Sequence, residues 1–333
     1  MERPNVRIGV VGAGYWGPNL IRNCAELGVL DSVCDIDDEA LEATRLAYPS
    51  ISTVGRFSEL LARRIDAVVI AAPAQYHARM CLEALDAGKH VFVEKPLALT
   101  VAEGRRIAEI ADSKGLIVFV GHLLLYHPAV KKLRSLIAEG VIGDVWHVRS
   151  RRLSLGRLRV HENVWWSFAP HDVALVLAIM DHEPTHVTAA QTARQTGNLA
   201  DVAYADFTFP FGRSAHIEVC WLDPEKSARL DVFGSSGVVT LNDSRAGSVL
   251  TVRPLTVKSD QAGKLTVRRG EELNIHVDEV EPLKAEINAF VEAVVIRKPA
   301  ETDAWQGVRV LQALAMAEDS ARVGIAAEAR ALA

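Results

Sequence analysis

The chain lacks the features that mark secreted, membrane-spanning or nucleic-acid-binding proteins. Its four cysteines, at positions 24, 34, 81 and 220, form no close pair. Metal sites use close cysteine pairs, and Cys24 and Cys34 lie in apolar segments, so reduced structural thiols rather than bridges or metal ligands are expected, in a cytoplasmic setting. The apolar run from Leu116 to Tyr126 is broken by Gly121 and His122 and falls short of the ~20 residues a bilayer-spanning helix needs. Met-Glu-Arg-Pro leads straight into a strand pattern, with no signal-peptide core. The 37 Lys and Arg against 42 Asp and Glu leave a net charge of −5, with no long run of one sign. Neither a basic arm for nucleic acid nor a membrane patch follows, and a small molecule is the expected partner. Repeats are absent too, and the alanine-rich tail is the one biased segment.

What is present is length and periodicity. At 333 residues the chain exceeds the size at which one core stops growing, so two domains are expected. "VRIGVV", "DSVCDID", "AVVIAAP", "HVFVEKP" and "LIVFVGH" are strand-like runs separated by amphipathic helical stretches, a pattern that specifies a parallel sheet covered on both faces. From about residue 145, alternating segments such as "AYADFTFPFGRSAHIEVCWL" and "RLDVFGSSGVVTLND" are joined by glycine turns, as in antiparallel sheets. The expected fold is therefore an α/β domain over residues 1–123, then an α+β domain over 124–333 with an open, mostly antiparallel sheet. Two closing helices, one with Ile287, Phe290, Val291 and Val294 on a stripe and one with Val308, Leu311 and Leu314, are assigned to neither domain by pattern alone.

Gly12-Ala13-Gly14-Tyr15-Trp16-Gly17 fits G-x-G-x-x-G between a strand and a helix. Gly12 permits the tight turn, Gly14 the approach of a pyrophosphate and Gly17 close helix packing, with the helix N-terminus facing the phosphates. Asp35 ends the next strand, where an acidic side chain accepts bonds from an adenosine ribose. A 2′-phosphate there would meet like charge at a cost of about 1–4 kcal/mol. Asp37 and Asp38 deepen the field and no arginine follows before Arg45, so NAD is expected over NADP. Further on, "FVEKPLALT" puts Glu94 and Lys95 at the carboxyl end of a parallel strand, where such sheets bind ligands. Lys95 reads either as a donor to a substrate oxygen, with a pKa lowered near a cationic nicotinamide, or as half of a surface ion pair.

Taken together, "GVVGAGYWG", "CDID", "AAPAQYHARMCLEALDAGKHVFVEKPLALT", "VGHLLLYHPAV", "PLKAEINAFVEAV" and "DAWQGVRVLQAL" resemble the glucose–fructose oxidoreductase, inositol dehydrogenase and rhizopine catabolism family, Gfo/Idh/MocA, along almost the whole chain. The resemblance implies a Rossmann domain for residues 1–123, a second domain that binds substrate and mediates assembly into homodimers or homotetramers, and hydride transfer between a nicotinamide cofactor and a sugar-like alcohol. It assigns Lys95 to the Glu-Lys-Pro lysine and places Ala72, Pro73, His77 and Glu94 beside the nicotinamide and its ribose. Aligning His171 with the family's catalytic histidine puts Ser167 where many relatives carry an aspartate, and Leu125 stands where relatives often have arginine.

"RRLSLGRLR" and "ENVWWSFAPHD" resemble the nucleotide-sugar members of that family. This implies oxidation at C3 of a UDP-sugar, UDP-N-acetylglucosamine foremost, to a keto sugar suited to an aminotransferase. Arg152, Arg157, Asn163, Trp166 and His171 are its substrate-side candidates. Arg151 and Arg152 face opposite sides of a strand, so each arginine of this cluster is either a diphosphate fork or part of a solvated sheet face or oligomer contact. His171 alone reads as a helix-start residue, with Ser167 or Asp172 as cap and Pro170 in the first turn; within the family frame it is the proton acceptor. A dehydrogenase for inositol or a free sugar, one for UDP-N-acetylglucosaminuronate, and a dinucleotide-binding regulator without chemistry are the alternatives.

Overall fold

Strand β1 (Ile8–Val11) is apolar and buried throughout, as a strand covered on both faces requires. It opens a computed structural model that describes residues 6–155, 162–195, 197–244, 249–259, 261–278 and 280–331, with side chains to 324. There follow α1 (Gly17–Glu26), β2 (Leu30–Cys34), α2 (Asp38–Ala47), β3 (Ser52–Val54), α3 (Phe57–Leu61), β4 (Ala67–Ile70), α4 (His77–Asp86), β5 (His90–Glu94), α5 (Val101–Lys114) and β6 (Val118–Gly121). Next come α6 (Pro128–Ala138), β7 (Val145–Leu153), α7 (Val164–Met180), β8 (His186–Thr192), β9 (Val202–Thr208), β10 (Ser214–Cys220), β11 (Ser227–Gly234) and β12 (Gly237–Asn242). The chain closes with β13 (Val249–Ser259), β14 (Leu265–Arg269), β15 (Leu273–Ile275), α8 (Pro282–Ile296) and α9 (Ala304–Ala331). Two compact units result: Met1–Leu123 with Glu281–Leu311, and Leu124–Val280 with Gln312–Ala333.

The first unit is built on a six-stranded parallel sheet in the order β3-β2-β1-β4-β5-β6. The chain moves outward from β1 to β3, then returns to β4 on the other side of β1. The carboxyl ends of β1 and β4 therefore flank a topological switch point, the crevice in which open α/β sheets bind ligands. Sequence pattern left α8 unassigned; it and the opening of α9 belong to this unit. Phe290 of α8 lies 5.7 Å, edge-on, from both Phe92 and Phe119, which stack at 5.2 Å. At one end α8 is tied to α1 by the Arg22–Glu281 ion pair, by Asn23 Nδ2 donating to Glu281 at 3.1 Å and by Lys284–Glu26 at 3.1 Å. On α9, a Cβ at Gly307 would fall 2.9 Å from Val120, so glycine permits that close approach.

The second unit carries, among the described residues, a nine-stranded sheet in the order β14-β13-β12-β11-β7-β10-β9-β8, with β15 beside β13. Only β7 and β10 pair in parallel; the other pairs are antiparallel. Helix α7 packs on β7, β9 and β10. Val148, Ser150, Ala215, Ile217, Val219, Leu230 and Val232 are buried at alternate positions, giving one core face per strand. Trp165 is fully buried and donates its indole N–H to the Leu314 carbonyl at 3.1 Å, and buried Trp221 donates to Asp201 at 2.9 Å. No described helix is long and apolar enough to cross a membrane.

Phe290→Ala should destabilise the protein by about 3–5 kcal/mol, the range for truncating a fully buried aromatic, measured as a lowered midpoint in urea unfolding.

Candidate active site

At the switch point the glycine-rich turn is fixed by backbone crowding. Gly12 has φ +96°, and a Cβ there would lie 2.8 Å from the Ala71 carbonyl group. A Cβ on Gly17 would fall 2.0 Å from the Gly12 oxygen, whereas one on Gly14 would meet no atom within 4 Å. Two glycines thus close the turn and the third leaves one side open. Helix α1 starts at Gly17 with no side-chain cap and no acidic residue in its first turn, so no negative side chain of that turn competes with an anion at its N-terminus. Tyr15 is 87% exposed on this turn. Asp35 is oriented by the backbone: its Oδ2 accepts from Ala13 N–H at 2.5 Å and its Oδ1 from Asp37 N–H at 2.9 Å. Asp37 caps α2 by accepting from Glu39 N–H at 3.0 Å. A dinucleotide fits this arrangement: the open Gly14 side would hold its pyrophosphate and Asp35 its adenosine ribose.

The later strand ends converge through side chains. His77 is buried at the start of α4, its ring nitrogens 2.7 Å from the Pro96 oxygen and 2.8 Å from the Ala72 oxygen. It thereby links the Ala72-Pro73 turn after β4 to the cis Lys95–Pro96 bond after β5. Glu94 accepts from the Trp16 indole N–H at 2.6 Å and from the Lys95 backbone N–H at 3.3 Å. Burial raises the Glu94 carboxyl above its usual range, with Lys95 and the two hydrogen bonds pulling it back. Two further residues of this unit have no place in the sequence reading. His122, 1% exposed, has no hydrogen-bond partner on either ring nitrogen among the described residues; burial, then Lys95, pushes its pKa down to about 3. Glu286 on α8 is fully buried, also with both carboxyl oxygens unpartnered, and burial followed by Glu94 holds it protonated well above the carboxylate range.

In the second unit, α7 begins earlier than His171 alone suggests. Asn163 is the cap, accepting from Trp166 N–H at 3.0 Å, and Ser167, Pro170, His171 and Asp172 all lie inside the helix. His171 is therefore not a helix-start residue, and neither Ser167 nor Asp172 caps; an asparagine seven positions upstream of Pro170 outcompetes both. Asn163 also reaches Glu318 at 3.4 Å, and the Trp166 indole donates to the same carboxylate at 2.9 Å. Asp172, 1% exposed, accepts from Ser150 Oγ at 2.6 Å and from Arg152 at 2.7 and 3.2 Å. Arg152 thus points to the α7 side of β7 already paired. Arg149, on the opposite side, joins Arg229 in binding the buried carboxylate of Asp231. Arg157 lies outside the described residues. Among the described residues, no group of three or more His, Cys, Asp or Glu is placed to hold a metal.

A glycine turn at a sheet switch point identifies a nucleotide fold and no more. The comparison with known proteins decides the rest. Residues 6–122 match the family model described as "Oxidoreductase family, NAD-binding Rossmann fold", and residues 130–240 match the GFO/IDH/MocA C-terminal domain. The chain belongs to the Gfo/Idh/MocA family of oxidoreductases. Its first unit is the family's NAD-binding Rossmann domain. It is 27% identical over 322 residues to UDP-N-acetylglucosamine 3-dehydrogenase from Acidithiobacillus ferrooxidans, covering 93% of this chain and 95% of that one. The solved structure of that enzyme superposes with a TM-score of 0.82 over 95% of this chain and 97% of its own, at 25% identity. An oxidoreductase structure from Magnetospirillum magnetotacticum gives a TM-score of 0.78 at 30% identity, over 93% of this chain and 99% of that one. Myo-inositol 2-dehydrogenase from Thermotoga maritima is 26% identical, over 74% of this chain and 78% of its own.

Gly17→Ala, which forces a methyl to within 2.0 Å of the Gly12 oxygen, should weaken NAD binding at least about tenfold, since the ~1.4 kcal/mol this corresponds to is less than the displaced turn gives up. Calorimetric titration with NAD measures it.

Proposed function

We propose that this protein is an NAD-dependent dehydrogenase that oxidises the C3 hydroxyl of a UDP-sugar, foremost UDP-N-acetylglucosamine, to the 3-keto sugar. The observation that carries the reading is near-full-length similarity, through both units, to UDP-N-acetylglucosamine 3-dehydrogenase. When bound, NAD supplies the hydride acceptor. In this reading Lys95, at the carboxyl end of β5, donates to the substrate oxygen and stabilises its developing negative charge. His171 accepts the hydroxyl proton. Ser167, buried inside α7 four residues before His171, leaves no carboxylate at that position, and Asp172 is occupied by Ser150 and Arg152. His171 therefore works without an aspartate from these two positions. Asn163, Trp166 and Glu318 form a hydrogen-bonded edge at the start of α7, which supports Trp166 as a fixed apolar wall for a sugar or uracil face. Assembly as a homodimer or homotetramer in the cytoplasm belongs to the same reading.

One observation favours a second reading, an inositol or free-sugar dehydrogenase. Arg152 is already neutralised by a buried carboxylate, so it is a weaker diphosphate ligand than a free arginine. In that case turnover needs no nucleotide on the sugar.

Purified protein with NAD and a panel of UDP-sugars, free sugars and inositols should form NADH with UDP-N-acetylglucosamine and not with inositol; the reverse result rejects the UDP-sugar reading. His171→Asn should leave NAD binding close to wild type and lower turnover by about 10²–10⁴-fold, the usual contribution of a general base. Retained turnover would move the proton to Lys95.

A further inference from the structure

Glu286 is a buried acid for which the fold alone gives no reason. Its position follows from register. Phe290 sits across Phe92 of β5 and Phe119 of β6, and Glu94 and Gly121 are register partners two residues further along those strands. One turn back along α8 and two residues along a strand both advance roughly 6 Å, so Glu286 overlies the Glu94–Gly121 pair as Phe290 overlies Phe92–Phe119. Gly121 offers no side chain there; a Cβ would lie 3.2 Å from Glu94 Oε2. The space above the strand ends is thus shared by the two carboxyl groups. Glu286 is 0% exposed and neither of its oxygens has a hydrogen-bond partner among the described residues. An ionised carboxylate cannot persist in such a place beside a second one, so Glu286 is the neutral acid of the pair.

We propose that Glu286 is a positioning residue for the nicotinamide end of the cofactor site: held neutral, it sets an uncharged polar group rather than a second negative charge beside Glu94 and so keeps that carboxylate ionised, where it grips Trp16 and the Lys95 turn and favours the positively charged, oxidised nicotinamide. The other titratable groups around the pair are consistent with this division of charge. Lys95 lowers the Glu94 pKa, and His122 is neutral, its pKa pushed down to about 3. His77 is occupied by the Pro96 and Ala72 carbonyls. Arg22, Glu26, Glu281 and Lys284, on the two helices, pair with one another at the exposed end of α8. A Glu94 carboxyl raised by burial is ionised only above that raised value, so its hold on the cofactor is present at higher pH and lost as pH falls. Glu286 keeps in the folded state a proton that the unfolded chain releases, so wild-type stability declines as pH rises above the ordinary glutamate range.

The inference concerns the cofactor and not the sugar, so loss of UDP-sugar turnover in the panel above would leave it intact. Calorimetric affinities for NAD+ and NADH, with melting temperatures, are measured between about pH 5 and 9 for the full chain and for Glu286→Gln and Glu286→Met. Glu286→Gln, which mimics the neutral acid, should keep the wild-type pH profile of NAD+ affinity, and its melting temperature should gain on wild type as pH rises. Glu286→Met should move the acid limb of NAD+ binding upward by about one pH unit and lower the NAD+ to NADH affinity ratio several-fold near neutrality. A Glu286→Met protein that binds both cofactor forms like wild type overturns the proposal and leaves Glu286 as a tolerated core defect. If Glu286→Met does not fold, the Glu286→Gln series decides: a melting difference that is flat in pH overturns it.

Discussion

A carboxylate half-buried at the end of a strand must be given donors, and at Glu94 those donors come from separate parts of the first unit. Trp16 belongs to the glycine-rich turn and Lys95 to the turn after β5, and both give an N–H to the same side chain. Hydrogen bonds to a buried charge are about twice as strong as neutral ones, and an unpaired charge there would not be tolerated. The consequence is mechanical as well as electrostatic. The glycine-rich turn and the turn that carries Lys95 cannot shift independently, because each would abandon Glu94. His77 repeats the device one strand over, joining the turn after β4 to Pro96. Between them, three strand ends are fixed without any regular element crossing the switch point.

Such links explain which parts of the site are legible in the sequence. The Gly12, Gly14 and Gly17 pattern can be read because each glycine answers a local backbone demand: a positive φ, an open approach, a 2.0 Å contact that no Cβ could make. Asp35 is legible because its role depends on ending a strand. The parallel and antiparallel sheets follow from apolar patterns that burial reproduces in the central strands: β1, β4 and β6 are buried throughout, and β9 and β10 alternate. By contrast, Trp16 and Glu94 are 78 residues apart and Asn163 and Glu318 are 155 apart, and no propensity or spacing connects such pairs. Glu286 is harder still. On an amphipathic helix its position between Leu283 and Ile287 reads as a core position holding the wrong residue, and only the register of α8 over β5 and β6 makes sense of it. The start of α7 failed for another reason: several residues able to cap, Asn163, Ser167 and Asp172, stand within ten positions, and tertiary burial of the whole segment chose the earliest.

The fate of Asp172 has a bearing on chemistry beyond helix boundaries. Adjacent positions on a helix diverge by about 100°, so Asp172, which faces the sheet, and His171 point in different directions. There it meets Ser150 and Arg152 on β7. The carboxylate expected at position 167 is therefore not supplied by its neighbour five residues on; that neighbour is spent on holding α7 to β7.

The same pair alters what Arg152 can recognise. A free guanidinium selects doubly charged phosphates because attraction between opposite charges dominates. Bound to a buried aspartate, Arg152 has lost that net charge but not its geometry: Nε and Nη2 are committed, and the remaining N–H groups are held in fixed directions. Donors that are directed and nearly neutral discriminate among hydroxyl and amide oxygens, where desolvation of the ligand is modest, better than among phosphates. On β7 the arginines are thus divided by the pleat. Arg149 is consumed by Asp231 on one side, and Arg152 on the other is held by Asp172, its remaining N–H groups fixed in direction.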